Sequence, residues 1–386
     1  MRRLFFLFIT HLIFCSAQAQ GWAWDSVVAE RGWTLKMERA GSGHMYLYPK
    51  DPFVETGDPV FIRKLDPGGA VQWSANFAGA CGIVKVLSLG DSGVVVAGNY
   101  KGTMTIGTVA LPASTHMGMW MARYTNGGNL VAQFGVANTQ LRDVATNGTD
   151  LVFVGNLFDS TSFLGLPVNR DQYNHLFIAR TGFSGSLKAL KVAEPTVSGT
   201  ESYAFGCAVD QNNNVFVHAG SYGFTLFGKD SLGQDFPGTT DLLLKFDPAL
   251  SLQNHTMLYL CQYGCRYYHE LKVTSKGEPV LTESHDYTQS GNDIHWSVIW
   301  KFTPACVSSG SFALCWHVNA CDAYKIESTD LDSCDNIYYT GYQRTYAYDP
   351  SVRSSLITGA LSSNLVPLWQ RADSSRSNGY RGISVL

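Results

Sequence analysis

A basic residue closing a short apolar run recurs about every sixty residues, and this spacing constrains the fold more than any other feature of the chain. The runs are Phe61-Ile62-Arg63-Lys64-Leu65-Asp66, Trp120-Met121-Ala122-Arg123-Tyr124-Thr125, Phe177-Ile178-Ala179-Arg180-Thr181, Leu242-Leu243-Leu244-Lys245-Phe246-Asp247 and Val298-Ile299-Trp300-Lys301-Phe302-Thr303. From Lys64 the steps to Arg123, Arg180, Lys245 and Lys301 are 59, 57, 65 and 56 residues. That period is regular, and it is longer than those of stacked-helix repeats. A sixth run, Ser355 to Leu361, keeps the apolar pattern 58 residues further on, with Gly359 at the basic position.

Each unit contains four apolar segments in a constant order. In the second unit these are Ile83 to Leu87, Val94 to Tyr100, Trp120 to Tyr124 and Leu130 to Phe134, with turn chemistry at Gly90 to Gly93 and Thr125 to Gly128. Segments of this length punctuated by turns predict one four-stranded antiparallel sheet per unit. The second strand returns as Leu151 to Asn156, Val215 to Tyr222, Pro279 to Ser284 and Ile337 to Tyr342. Before it stand Asn147-Gly148, Asn212-Asn213-Asn214, Lys276-Gly277 and Asp335-Asn336, residues that tolerate positive φ or form Asx turns. A single small sheet cannot bury both faces, whereas radial stacking around an axis does. The expected fold is therefore all-β, a β-propeller of four-stranded antiparallel blades with six full repeats.

Ala23 to Val28 matches a fourth strand and Gly379 to Leu386 a first strand, which leaves six or seven blades open. Residues 20–386 are expected to form a single domain.

The segments Val96-Ala97-Gly98-Asn99-Tyr100, Gly102 to Gly107, Met121-Ala122-Arg123-Tyr124 and Lys64-Leu65-Asp66-Pro67-Gly68-Gly69-Ala70-Val71-Gln72-Trp73 resemble the SBBP-type β-propeller repeat of secreted bacterial proteins, especially those of the Bacteroidota. The resemblance covers roughly residues 25 to 386 and is strongest in the first three units. It implies a fold and export, and no particular activity.

The N-terminus agrees with export. Arg2 and Arg3, the largely apolar run from Leu4 to Phe14, and Ala17 with Ala19 form the pattern of a cleavable signal peptide over residues 1–19. No other stretch approaches the roughly 18 consecutive apolar residues of a transmembrane helix. The expected location is secreted, extracellular or at the cell surface, with the periplasm as a variant. Without Arg2 and Arg3 the 28 basic residues become 26 against 31 acidic ones, so the electrostatic footprint of a nucleic-acid partner is missing.

Eight cysteines follow the signal: Cys81, Cys207, Cys261, Cys265, Cys306, Cys315, Cys321 and Cys334. In an oxidising compartment disulfides are expected rather than a metal site. Cys261 and Cys265 with His269 lack a second pair at zinc-finger spacing.

The longest connections on one face belong to the fourth and fifth units, at Glu194 to Tyr203, Gly223 to Thr240, Leu260 to Tyr268 and His285 to His295. They carry Tyr263, Tyr267, Tyr268, His269, His285, His295 and Trp296, whose flat rings with polar tips suit stacking on sugars or gripping peptides; ordinary packing is the competing reading. Near the strands expected to line the channel lie Asp143, Glu270 and Glu327 with Lys85, Arg142, Lys272 and Lys325. Two carboxylates about 5 to 10 Å apart run glycoside hydrolysis. There is no sialidase Asp box, H-E-x-x-H or G-x-S-x-G.

The Asp-rich turns at Asp210 to Asn214 and Asp330 to Asp335 lack the Gly and distal Glu of a calcium loop. The repeated cations read as blade-to-blade or solvated contacts rather than ligand grips, and Trp73, Trp316 and Trp369 read as packing. No cofactor or metal is expected. The sequence thus predicts a non-catalytic binder of extracellular protein or carbohydrate acting through its blade-connecting loops. A channel-centred glycan hydrolase or lyase and a structural or surface-assembly module are the alternatives, and a quinoprotein dehydrogenase stands behind them.

Overall fold

The computed structural model describes residues 35–49, 60–168, 173–195, 199–227, 230–233, 239–261, 266–289, 292–314, 323–344 and 354–373. The proposed signal peptide and the two terminal strands lie outside them. Antiparallel strands dominate, with no α-helix among the described residues. The first sheet pairs Leu35–Arg39, Met45–Pro49, Val60–Leu65 and the first part of Val71–Ser88. That long strand runs on without a break to become the innermost strand of the second sheet, beside Val94–Ile106, Ser114–Tyr124 and Leu130–Val136.

Separate four-stranded sheets follow. The third is Thr139–Thr146, Leu151–Leu157, His175–Thr181 and Leu187–Val192; the fourth is Glu201–Val209, Val215–Tyr222, Thr239–Phe246 and Leu252–Cys261. The fifth is Arg266–Val273, Pro279–Gln289, Asn292–Phe302 and Ser308–Leu314, and the sixth Ala323–Leu331, Ile337–Arg344, Ser354–Leu361 and Pro367–Asp373.

Alternation along the middle strands explains the stacking. Val94 and Val96 pack towards the first sheet with Tyr46, Ile62 and Trp120, while Val95 and Ala97 pack towards the third with Phe153 and Phe177. Val152, Ile178, Val217 and Leu244 fill the third–fourth interface, and Phe216, Leu243, Leu281 and Phe302 the fourth–fifth. Val280, Ile299, Ile326 and Tyr339 fill the fifth–sixth. Both faces of the middle strands of the second to fifth sheets are buried, so those strands read as continuous apolar runs. Innermost strands of successive sheets touch one another. The arrangement is propeller-like.

The recurring cation is a latch between neighbouring sheets. Lys64 Nζ donates to the carbonyl of Asn126 at 3.2 Å, Lys245 Nζ to that of Pro304 at 2.8 Å and Lys301 Nζ to that of Ser363 at 2.7 Å. Arg180 donates to the carbonyls of Pro248 at 2.6 Å and Asn213 at 3.3 Å, while Arg123 stands over the Phe183 ring at 5.3 Å. Each acceptor lies on a turn of the following sheet, which accounts for the period.

The third-to-fourth-strand and first-to-second-strand turns share another device. Asp66, Asp210, Asp247 and Asp332 each accept the N–H groups two and four residues on. The two turns weighed as calcium loops thus spend Asp210 and Asp332 on the turn itself. Trp73 packs on Tyr46 and Tyr124, but Trp369 is 48% exposed on an outer strand, contrary to its reading as packing; Trp316 lies outside the described residues.

The disulfide expectation fails for four cysteines. Cys81, Cys207 and Cys306 are buried free thiols in three different apolar clusters, and Cys334 is an exposed free thiol. The pairing state of Cys261, Cys265, Cys315 and Cys321 falls outside the described residues.

Candidate active site

Innermost strands carry bulges at one recurrent place. Register shifts place one extra residue, Val84, Arg142, Phe205 and Glu327, in the innermost strands of the second, third, fourth and sixth sheets. A bulge bends its strand and re-aims the side chains beside it. In the second sheet the crowding dictates Gly98, where a Cβ would sit 1.9 Å from the Gly82 carbonyl oxygen and 2.9 Å from the Trp120 ring.

Charged side chains from these strands converge at the axis. Lys85 pairs with Asp143 at 3.3 Å, and Asp143 Oδ2 accepts the Cys207 N–H at 3.1 Å. Lys272 lies 3.6 Å from Glu270 and 3.3 Å from Asp330. Glu270 Oε2 accepts the Thr329 N–H at 2.7 Å. Asp143 and Glu270 thereby tie their own sheets to the next ones. Of the three carboxylates read from the sequence, Glu327 sits at the sixth-sheet bulge.

Glu38, on the first strand, is the group the sequence reading missed. Burial raises its pKa, opposed by Lys272 and Lys85 and assisted by Asp330 and Glu270. Those interactions reach from the first sheet to the fifth and sixth, across the axis. Glu270 goes the other way. Burial would raise it, but Lys272, Lys36 and Lys85 with the Thr329 N–H carry it down to about 2. Asp143 chiefly holds Lys85 protonated well above its ordinary range against the cost of burial. For Lys272 burial opposes the charge, and Glu270 and Asp330 outweigh it. One carboxyl is thus pushed up and one down within a shared cluster of charges, the pattern that separates an acid from a carboxylate partner. The alternation in Leu35-Lys36-Met37-Glu38-Arg39 was the available signal for this strand.

Tyr263 lies outside the described residues. Tyr267, Tyr268 and His269 fall on the strand Arg266–Val273, His285 on Pro279–Gln289, and His295 and Trp296 on Asn292–Phe302; their side chains lie outside the described residues. The segments read as long loops are therefore largely ladder. Register pairs Tyr267 with His285 and His285 with Trp296, which brings three of the six into one cross-strand row; Tyr268 pairs with Ser284, His269 with Glu283 and His295 with Asp286.

A second polar cluster lies between the fourth and fifth sheets, on residues the sequence reading passed over as strand interior. His218, Asp241 and Glu283 are all buried, with one candidate ligand atom from each lying within 4.8 Å of the others. Burial, then the Glu283 charge, pushes the Asp241 carboxyl up to about 8.

No protein-family model matches the chain, and no curated protein does. Among solved structures it is similar to the polysaccharide lyase Uly1, at 8% identity and a TM-score of 0.42 over 92% of this chain and 93% of that one. It is also similar to a Synechocystis apocarotenoid oxygenase mutant, at 11% identity and a TM-score of 0.43 over 89% and 74%. The NanB sialidase from Streptococcus pneumoniae matches at 8% identity and a TM-score of 0.40, over 94% of this chain and 64% of that one.

The expectation of a non-catalytic binder acting through its loops is corrected. The described residues that this expectation placed on loops lie on strands, and the oppositely displaced carboxyls stand on the innermost strands of the first and fifth sheets. No helix among the described residues is long and apolar enough to cross a membrane.

Proposed function

We propose that the chain is an exported glycoside-cleaving enzyme whose reaction takes place at the axial channel. The observation that carries the proposal is the opposed displacement of Glu38 and Glu270 on strands that face one another through Lys272 and Lys85. Glu38, whose pKa burial raises, is the general acid that protonates the leaving glycosidic oxygen. Glu270, held ionised, stabilises the positive charge that develops on the sugar ring or attacks it as the nucleophile. Lys85 and Lys272 keep the channel electrically balanced and suit it to an acidic sugar. Those two cations also favour a second reading, elimination from a uronate, in which a lysine neutralises the sugar carboxylate.

In the finer picture residues 1–19 direct export and residues 20–386 form one propeller of six or seven blades of the SBBP type. Tyr263, Tyr267, Tyr268, His269, His285, His295 and Trp296 form the sugar-contacting rim. Tyr268 stands two residues before Glu270 on the same strand, a placement that joins rim to channel.

The test incubates the purified chain with neutral and acidic polysaccharides and follows both new reducing ends and the ultraviolet absorbance of unsaturated products. Reducing ends without that absorbance are the expected result, with Glu38→Gln slower by about 10²–10⁴-fold. Unsaturated products would move the assignment to the lyase. Wild-type rates in both Glu38→Gln and Glu270→Gln would overturn the channel reading.

A further inference from the structure

We propose that His218, Asp241 and Glu283 bind a divalent metal ion of the zinc class, clamping the fourth sheet to the fifth. This goes beyond the channel chemistry and shares no residue with it, so either can fail alone. His218 on Val215–Tyr222 and Asp241 on Thr239–Phe246 are diagonal neighbours, since His218 pairs with Leu243 and Gly220 with Asp241. Glu283 comes from Pro279–Gln289 of the next sheet. The three donors meet beside the apolar contact of Phe216, Leu243 and Leu281, where water is excluded.

Asp241 is the informative member. It is 0% exposed, and neither of its carboxylate oxygens has a hydrogen-bond partner among the described residues. Two buried carboxyls side by side call for a counter-charge, because an uncompensated charge is strongly disfavoured away from water.

The donor set suits that counter-charge. Imidazole nitrogen with carboxylate oxygen is a zinc-type combination. Trp300 Nε1–H donates to Glu283 Oε2 at 3.0 Å, which leaves Oε1 facing His218 Nε2 at 3.5 Å. Donors around a tetrahedral zinc at about 2.1 Å stand about 3.4 Å apart, so the His218–Glu283 pair is already at ligand spacing. Asp241 closes the set with a side-chain shift of roughly 1 Å. The Trp300 bond and the Phe205 ring, 5.1 Å from that of His218, are the outer contacts that hold ligands in place.

The rival is a proton shared between Asp241 and Glu283, with no ion. The test dialyses the full chain against chelator, then titrates zinc chloride, and separately manganese chloride, while reading bound metal and thermal midpoint. Expected is one zinc per chain, a midpoint that rises with zinc, and affinity lower by more than the roughly 10-fold cost of losing an outer contact in both Asp241→Asn and Glu283→Gln. Circular dichroism confirms that each variant is folded, and His218→Gln stands in if one is not. Equal zinc uptake by wild type and variants would overturn the site, as would no uptake of either metal by wild type. A metal-independent gain in stability in Asp241→Asn would favour the shared proton.

Discussion

Replacing Glu270 by glutamine keeps the shape of the side chain and its capacity to accept the Thr329 N–H, and removes only the charge. In the folded chain that charge stands beside Lys272, and its pKa falls from 4.5 to about 2 despite burial, which alone would raise it. At about 1.36 kcal/mol per pKa unit the difference is worth ~3 kcal/mol near neutral pH. A carboxyl whose folded pKa lies below its unfolded value stabilises the fold above the unfolded pKa. That contribution is lost as pH falls from 4.5 towards about 2.

The Glu270→Gln variant should therefore be ~3 kcal/mol less stable at about pH 7, and the gap should shrink to ~2 kcal/mol near pH 3.5. Over the 386 residues, an unfolding entropy of about 2.1 cal/mol/K per residue turns the neutral-pH loss into a Tm lower by roughly 4 °C. Urea unfolding followed by tryptophan fluorescence at several pH values reads the gap directly. A gap that is the same at both ends of that range, or under about 1 kcal/mol at neutral pH, would refute the claim that Lys272 and Thr329 hold an ionised Glu270.

Three further outcomes follow from the packing. Lys301→Met removes the bond to the Ser363 carbonyl at 2.7 Å and the Glu278 pair at 2.8 Å while keeping the apolar stem; thermal melts should show a loss of about 1.5–3 kcal/mol, largely spared in Lys301→Arg. Gly98→Ala drives a methyl against the Gly82 carbonyl oxygen at 1.9 Å and should cost about 3 kcal/mol or more. Gly102→Ala, with open space but φ +73, should cost about 1 kcal/mol, and wild-type stability in Gly98→Ala would contradict the close strand approach. In the native protein a thiol reagent should label Cys334 quickly and leave Cys81, Cys207 and Cys306 until unfolding, because burial pushes the Cys81 and Cys306 thiols up to about 11. Mass spectrometry of the labelled peptides decides it, and early labelling of Cys207 would argue against its packing beside Val152.

The repeat was legible in one dimension because its causes are local. Lys64, Arg180, Lys245 and Lys301 each reach a turn carbonyl one unit ahead, so a fixed spacing along the chain is a fixed step in space. Strand order and turn positions followed from short apolar runs and from the Asp and Gly chemistry between them, which acts within a few residues. The candidate loops were misjudged because Tyr267, Tyr268 and Trp296 carry β-propensity as well as binding chemistry, and the ladder claimed them.

Neither polar centre could be read in this way. Glu38 and Glu270 stand 232 positions apart in sequence, and only the meeting of innermost strands at an axis sets one carboxyl against the charges around the other. His218, Asp241 and Glu283 each occupy an ordinary place in a strand, and the register of one sheet and its packing on the next bring them together. Sequence periodicity reports which face a side chain takes relative to its own strand. What waits across that face, and hence how much a charge costs there, is decided by neighbours brought in from elsewhere in the chain.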